Sequence, residues 1–308
     1  MKWIKQGLVY GPGGFAPWAR HSALTPTPIL ITPDVIRVYA GFRDVEGVSR
    51  IGYVDVAAEN PSVVRKVSAR PVLDVGVPGA FDDNGVILGD VVRDGESLRM
   101  YYVGFQRVQQ VKFLAFSGLA VSRDGGETFV RTSPAPVMDR DAGALFIRAI
   151  HTVLFEDGLW KVWYASGSGW QELNGVPYPK YNIHYTESAD GFRFDRPGRL
   201  CIDVAGAEYR IGRPRVYKRN GGYAMYFTKG DTLGNYFPGF AESADGIRWQ
   251  RRDEALGIEL SESGWDSRTL CYPSLLAYKD RTYMFYNGND MGRDGFGYAV
   301  GAECGRAC

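Results

Sequence analysis

Four carboxylates, Asp82, Asp83, Glu208 and Asp266, and six arginines, Arg20, Arg148, Arg210, Arg213, Arg215 and Arg268, are the side chains of this sequence best suited to chemistry. One carboxylic acid can protonate a leaving oxygen while a second carboxylate activates water or attacks carbon, so a pair from well-separated stretches suits acid–base group transfer. Guanidinium groups recognise phosphate or carboxylate through a planar pair of donors. The arginines therefore point either to an anionic substrate or to buried ion pairs with Asp82, Asp83, Asp90, Glu208 and Asp266. His21 and His151 stand among them and can bond a hydroxyl, hold phosphate or shuttle a proton near neutral pH. His184, in Tyr181-Asn182-Ile183-His184-Tyr185, reads as a packing residue. Asp82-Asp83-Asn84-Gly85 also reads as a turn, and on a strand its two acids would face opposite ways. Glu208 has arginines beside it for a salt bridge. No cluster has zinc-ligand spacing and no phosphate-cradling glycine loop opens a helix, so neither metal nor cofactor is expected.

The elements that must position these residues repeat. A short aromatic strand returns as Val38-Tyr39-Ala40, Met100-Tyr101-Tyr102, Val162-Trp163-Tyr164, Met225-Tyr226-Phe227 and Met284-Phe285-Tyr286, with last residues 62, 62, 63 and 59 positions apart. Repeats of that length holding several strands each predict propeller blades. Within a unit, an apolar run leads through a turn to the aromatic strand, as in Thr152 to Gly158 before Val162, which signals a hairpin. A third strand ends in Ser122-Arg123-Asp124-Gly125, Ser188-Ala189-Asp190-Gly191 or Ser243-Ala244-Asp245-Gly246. Asp bonds back to its own turn and Gly accepts positive φ, so these acids are read as structural. The fifth unit stops after Gly297-Tyr298-Ala299-Val300, without the continuation seen in the third and fourth. The opening segment Met1 to Tyr10 is expected to supply the missing strand and so close the ring, which removes unpaired edges.

Length and composition agree with one domain over residues 1–308. Aromatics make up 14% of the chain, with 39 Gly and 16 Pro, which suits short strands joined by tight turns. The formal net charge of +1 gives no electrostatic reason to expect nucleic acid or an anionic membrane surface as partner. No apolar run is long enough for a membrane helix, and Met1-Lys2-Trp3-Ile4-Lys5-Gln6 lacks the apolar stretch of a secretory signal, so the expected place of action is the cytoplasm. Cys201, Cys271, Cys304 and Cys308 are too scattered for a disulfide framework. The Cys304/Cys308 pair reads as a frayed tail.

The units, the Ser-x-Asp-Gly-x-x-aromatic turns and the phrase Gly79-Ala80-Phe81-Asp82-Asp83-Asn84-Gly85-Val86 together resemble the five-bladed propeller glycoside hydrolases and their relatives. That group includes arabinanases, xylosidases, invertase-like enzymes and mannoside phosphorylases. The resemblance spans the whole chain. It implies an all-β, five-bladed β-propeller with a ligand funnel at one end of the axis, lined by the innermost strand of each blade. Aligned on the aromatic strands, the lining segments would carry Arg20 and His21 from the first blade, Asp82, Asp83 and Asp90 from the second, and Arg148 and His151 from the third. The fourth would add Glu208, Arg210, Arg213 and Arg215, the fifth Asp266 and Arg268.

On that resemblance, Asp82 or Asp83 would face Glu208 across a sugar ring, with Asp266 tuning or orienting and Trp265 offering a stacking face. The first blade departs from the family pattern, since Arg20-His21-Ser22 stands where many of these hydrolases carry an acid. The aromatic insert Trp170 to Tyr181 would form a lid or wall. The expected ligand is a carbohydrate or an anionic sugar derivative, and the expected activity is hydrolysis, phosphorolysis or glycosyl transfer. Two other readings remain open: a glycan-binding propeller that has lost the reaction, and a propeller enzyme with non-glycosidic chemistry on an anionic metabolite.

Overall fold

The computed structural model describes residues 2–219 and 221–301, and within them the regular secondary structure is almost entirely strand. The Cys304/Cys308 pair lies outside the described residues. The first strand, β1 (Trp3–Tyr10), does not pair with its neighbour in sequence. Next come β2 (His21–Thr32), β3 (Val35–Arg43), β4 (Ser49–Ala57) and β5 (Asn60–Val67), paired in that order. The same antiparallel meander returns as β6 (Val86–Asp94), β7 (Ser97–Gln106), β8 (Leu114–Ser122) and β9 (Val130–Arg131). It returns again as β10 (Ile147–Glu156), β11 (Leu159–Leu173), β12 (Val176–Ser188) and β13 (Arg199–Ile202). A further group is β14 (Glu208–Arg219), β15 (Gly222–Asp231), β16 (Tyr236–Ser243) and β17 (Gln250–Arg251). The last is β18 (Cys271–Tyr278), β19 (Arg281–Asn287) and β20 (Phe296–Gly301), and its outer place is taken by β1, which pairs antiparallel with β20 from Trp3↔Gly301 to Tyr10↔Phe296.

Each aromatic triplet falls on the second strand of its group, where both faces are covered by neighbouring groups. Tyr39, Tyr101, Tyr102, Trp163, Phe227 and Phe285 are accordingly fully buried. A buried phenol or indole still needs a partner for its polar atom. The sequence supplies one at a regular distance: Tyr39 Oη donates to Gly126 O at 2.9 Å, Tyr101 Oη to Gly191 O at 2.8 Å and Trp163 Nε1 to Gly246 O at 2.7 Å. Each of the first three groups thus grips the Asp-Gly turn of the next. Those turns are held as their residues suggest: the Ser122, Ser188 and Ser243 hydroxyls accept from turn amides, and Asp124, Asp190 and Asp245 accept from the amides just after them.

The first strands of the groups face one another. Among the described residues β2 contacts β6, β6 contacts β10, β10 contacts β14, β14 contacts β18, and β18 contacts β2. Each of these strands is interrupted by a bulge at a similar depth: between Leu24 and Thr27, Leu88 and Asp90, Ile150 and Thr152, Gly212 and Arg215, and Cys271 and Ser274. The residues set free are Thr25, Gly89, His151, Arg213 and Tyr272. A bulge takes a residue out of the ladder and re-aims its side chain. Thr25, Arg213 and Tyr272 have positive φ values of 53°, 55° and 57°, in the left-handed region that non-glycine residues rarely adopt. Each of the three is followed by proline, which can donate no ladder hydrogen bond.

Candidate functional site

Where the first strands converge they enclose a cavity of about 420 Å³, within the usual range for small-molecule sites. Leu24 and Thr25 from β2, Ile87 from β6, Ile147, Ala149 and His151 from β10, Arg210 and Arg213 from β14, and Tyr272 from β18 all reach it. Alternation along β10 explains the selection there, because residues two apart share a face. The extended hairpin of β11 and β12 adds Tyr178 and Tyr181, so the aromatic insert is a wall continuous with its sheet rather than a separate lid. Tyr236 comes from β16, and Arg43 from the end of β3.

The charge on this lining is one-sided. Among the described residues, Arg43, Arg107, Lys112, Arg210 and Arg213 line the cavity, against one carboxylate, the exposed Glu46. Arg43 and Arg210 form no ion pair among the described residues, and the Nε of each is buried without a hydrogen-bond partner. Burial pulls the Arg43 guanidinium below its ordinary value. Arg210 lies over the rings of Tyr209 and Tyr236, each 4.7 Å from the guanidinium carbon. Those ring faces compensate part of its lost hydration. Burial raises the Tyr272 phenol well above its usual range, with Arg210 and Arg43 opposing, so it is a neutral hydrogen-bonding group at all physiological pH.

Polar groups form the floor. Arg213 crosses the axis: its Nη2 donates to Thr25 O at 3.1 Å and Thr27 Oγ1 at 2.8 Å, and its Nη1 donates to Leu88 O. Nη1 also lies 3.4 Å from His151 Nδ1. Beneath it, Arg215 Nη1 donates to Asp90 Oδ1 at 2.7 Å and to His151 O at 2.9 Å, while Asp90 accepts from the Val91 and Val153 amides. Burial, then the charges of Arg213 and Arg215, push His151 well below its ordinary value, so the imidazole is neutral at pH 7.

The carboxylates expected to do the chemistry are elsewhere. Asp82 is buried under its own turn, accepting from Tyr102 Oη at 3.0 Å and Arg131 Nε at 2.8 Å. Asp83 accepts from the Gly79 amide at 2.8 Å and from Asn84 Nδ2, so the turn reading holds for this pair. Glu208 is paired with Arg251 at 2.8 Å and accepts from the Ala205 amide at 2.9 Å. Asp266 is buried against Lys5 Nζ at 2.7 Å and Tyr286 Oη at 2.9 Å, tying β1 to the last group. None of the four lines the cavity, so a carboxylate pair across it is not what the structure builds. The physical reason is common to all: each carboxylate is satisfied by a cation, hydroxyl or amide away from the cavity.

The cations divide. His151, Arg210 and Arg213 reach the cavity, and Asp90 and Arg215 lie in its floor. Arg20 is exposed and donates to Gly14 O at 3.1 Å. His21 bonds its neighbour, with Nδ1 2.9 Å from Ser22 Oγ, and burial, then Arg293 and Arg43, lower its pKa. Arg148 points to the opposite face of β10, donating to Asp139 O at 2.7 Å, and Arg268 is exposed beside Asp290 at 2.9 Å. Trp265 is stacked on Tyr286 with centroids 5.1 Å apart, so its face is covered by protein. His184 packs against Tyr164 as the sequence suggested, at 5.8 Å between centroids. Among the described residues no cluster of His, Cys, Asp and Glu is arranged to hold a metal ion.

No family model matches the chain. Over 302 residues it is 33% identical to Uncharacterized protein Rv1502 of Mycobacterium tuberculosis H37Rv, spanning 97% of this chain and 99% of that one. The chain belongs to the Rv1502 family. A second relative, Uncharacterized protein MT1551 of M. tuberculosis CDC 1551, is equally similar, 33% identical over the same length. Among solved structures, this member of the Rv1502 family is similar to a complex of BT0996 with RGII, with a TM-score of 0.71 and 17% identity over 99% of this chain and 94% of that one. It is also similar to a glycosyl hydrolase from Bacteroides ovatus, with a TM-score of 0.67 and 16% identity over 97% and 90% of the two chains. A third similar structure comes from work on the GH130 family of mannoside phosphorylases, with a TM-score of 0.67 and 16% identity over 97% and 93%. At these identities the likeness places the Rv1502-family chain in the all-β, propeller-like fold of the glycoside hydrolases. No helix of the described residues is long and apolar enough to cross a membrane.

Sequence reasoning missed Arg43, Tyr236 and Tyr272 in this Rv1502-family site, whereas Tyr178 and Tyr181 lie in the insert it expected as a lid or wall. For Tyr272 a signal was present: Thr25-Pro26, Arg213-Pro214 and Tyr272-Pro273 interrupt first strands at matching depth, and a proline inside a strand pattern marks a bulge. For Arg43 and Tyr236 no signal of comparable clarity exists, because they reach the cavity from strand ends.

Proposed function

We propose that the groups are five blades of a closed propeller forming a single domain over residues 1–308, and that its axial cavity binds an anionic sugar derivative. The pairing of β1 with β20 and the packing of β18 on β2 support the closed ring. One observation carries the ligand: Arg43 and Arg210 face the cavity without a carboxylate partner among the described residues, their Nε atoms buried and unbonded. A buried cation lacking a partner is costly, and a phosphate or carboxylate on the ligand offsets that cost through charge-assisted hydrogen bonds. Tyr178, Tyr181, Tyr236 and Tyr272 supply rings for a sugar face and hydroxyls for its oxygens.

Hydrolysis by two protein carboxylates is the least supported reaction, because it needs acids on both sides of the sugar and Glu46 alone, among the described residues, lines the space. Phosphorolysis needs one protein acid: the bound phosphate attacks the anomeric carbon, the glycosidic bond breaks, and Glu46 gives its proton to the leaving oxygen. A second reading, a sugar-binding propeller without catalysis, is favoured by a lining whose described residues include no buried carboxylate. Incubation with oligosaccharides, with and without phosphate, separates the two. Phosphate-dependent release of a sugar phosphate that Glu46→Gln abolishes supports phosphorolysis; unchanged substrate beside measurable sugar phosphate binding supports the binder. No binding of any phosphorylated or acidic sugar would count against both.

A further inference from the structure

The floor and the wall of the cavity are two separate cationic levels. Arg213 and Arg215 share the floor with one carboxylate, Asp90, which is bonded to Arg215. One positive charge is therefore left over at Arg213, whose Nε is buried and unbonded although the residue is 3% exposed. Beside it Thr25, 2% exposed, holds a hydroxyl Oγ1 that is likewise buried and unbonded. His151 completes the group. A guanidinium carries only donors, so its contact to Nδ1 makes that nitrogen the acceptor and places the imidazole hydrogen on Nε2. Burial, then repulsion from Arg215, draws Arg213 down to about 9, still protonated at neutral pH. Every free polar group of the floor is thus able to donate.

Arg210 stands three residues before Arg213 on β14, and Arg43 pairs with His21, four residues before Thr25 on β2. At about 3.3 Å per residue the two levels are separated by roughly 10 Å along the strands.

We propose that the ligand is a sugar carrying two separate anionic groups, one held at the floor by Arg213, Thr25 and His151 and the other at the wall by Arg43 and Arg210. The proposal rests on the anionic-sugar reading above and sharpens it. A neutral hydroxyl at the floor would leave the excess charge of Arg213 buried and uncompensated, whereas an anionic oxygen satisfies its Nε hydrogen, accepts from the Thr25 hydroxyl and neutralises the site.

Calorimetric titration of a hexose bisphosphate and of the matching hexose monophosphate tests it. The bisphosphate is expected to bind at least about tenfold more tightly, as expected for a charged hydrogen-bonded group. Thr25→Val, which keeps shape and removes the hydroxyl, and Arg213→Met are each expected to shrink that advantage to about threefold or less. Should Arg213→Met fail to fold, Thr25→Val carries the comparison. Equal affinity for the two ligands in the wild-type protein, or an advantage that Thr25→Val leaves intact, overturns the second anionic group while monophosphate binding keeps the simpler reading. Binding of neither phosphosugar overturns both.

Discussion

Arg213 reaches to within 3.4 Å of His151 Nδ1, joining the bulge of β14 to the bulge of the neighbouring β10. The two residues sit at matching depth in successive groups, and the contact shows how the repeat makes a site: equivalent bulges turn side chains of different chemistry toward one another. What differs among the bulges, Thr25, Gly89, His151, Arg213 and Tyr272, is where a shared scaffold becomes particular.

His151 gives a pH dependence with a definite sign. Its pKa is lowered well below 6.5 in the folded protein by burial and by Arg213 and Arg215, whereas the unfolded chain takes a proton near the ordinary value of about 6.5. The unfolded state binds more protons below that pH, so the His151 contribution to stability is complete above about 6.5 and is lost as pH falls through it. The melting temperature of the wild-type protein relative to His151→Gln should therefore decline between about pH 7 and pH 5. A difference that stays constant over that range would contradict the neutral imidazole. His21 and His184, which are also lowered, cancel in this comparison.

Asp82 should behave as a structural acid. Its carboxylate holds Arg131 Nε at 2.8 Å and Tyr102 Oη at 3.0 Å, so Asp82→Asn is expected to cost about 2 kcal/mol of stability, as for loss of a charged, buried hydrogen-bond acceptor. Chemical denaturation measures this. Sugar phosphate affinity should stay within about twofold of wild type; a tenfold loss in the folded variant would return Asp82 to the site.

Arg43 should show the opposite pattern. Arg43 is half-buried, with its Nε fully covered and no ion-pair partner among the described residues, so Arg43→Met removes a partly desolvated charge and should leave the melting temperature at or above that of the wild type. Affinity for a sugar phosphate should fall at least about tenfold. A variant that melts lower and binds equally well would make Arg43 a structural residue.

Trp3 offers a test of the joining of the chain ends. It is buried on β1 against Tyr226, with ring centroids 6.4 Å apart, and belongs to the core shared with β15 and β19. Trp3→Ala is expected to cost about 3–5 kcal/mol, as for other large-to-small core changes. A loss below about 1 kcal/mol would mean that β1 docks without helping to hold the last group.

The repeat was legible because of two recurring local necessities: an apolar aromatic strand needing cover on both faces, in all five units, and an Asp-Gly turn needing its own hydrogen bonds, in three of them. Tyr39 gripping Gly126 is the tertiary consequence of both. The roles of the four candidate acids were not legible, because a carboxylate's role depends on which cation the fold brings to it. Glu208 has arginines beside it in sequence, yet its partner is Arg251, forty-three residues away. Arg213 and His151 were legible as members of first strands, but their contact needed the bulges. Tyr178 was legible only as part of an insert expected to form a lid or wall; the extended pairing of β11 with β12 makes it a wall.

The central claim is that the axial cavity binds a negatively charged sugar, and calorimetric titration of a hexose phosphate and of the unphosphorylated hexose into wild-type protein and Arg210→Met tests it most directly. Saturable binding of the phosphate ester, at least about tenfold weaker in Arg210→Met and undetectable for the neutral sugar, is the predicted result. Equal binding of charged and neutral sugars, or no effect of Arg210→Met in the folded variant, would contradict it.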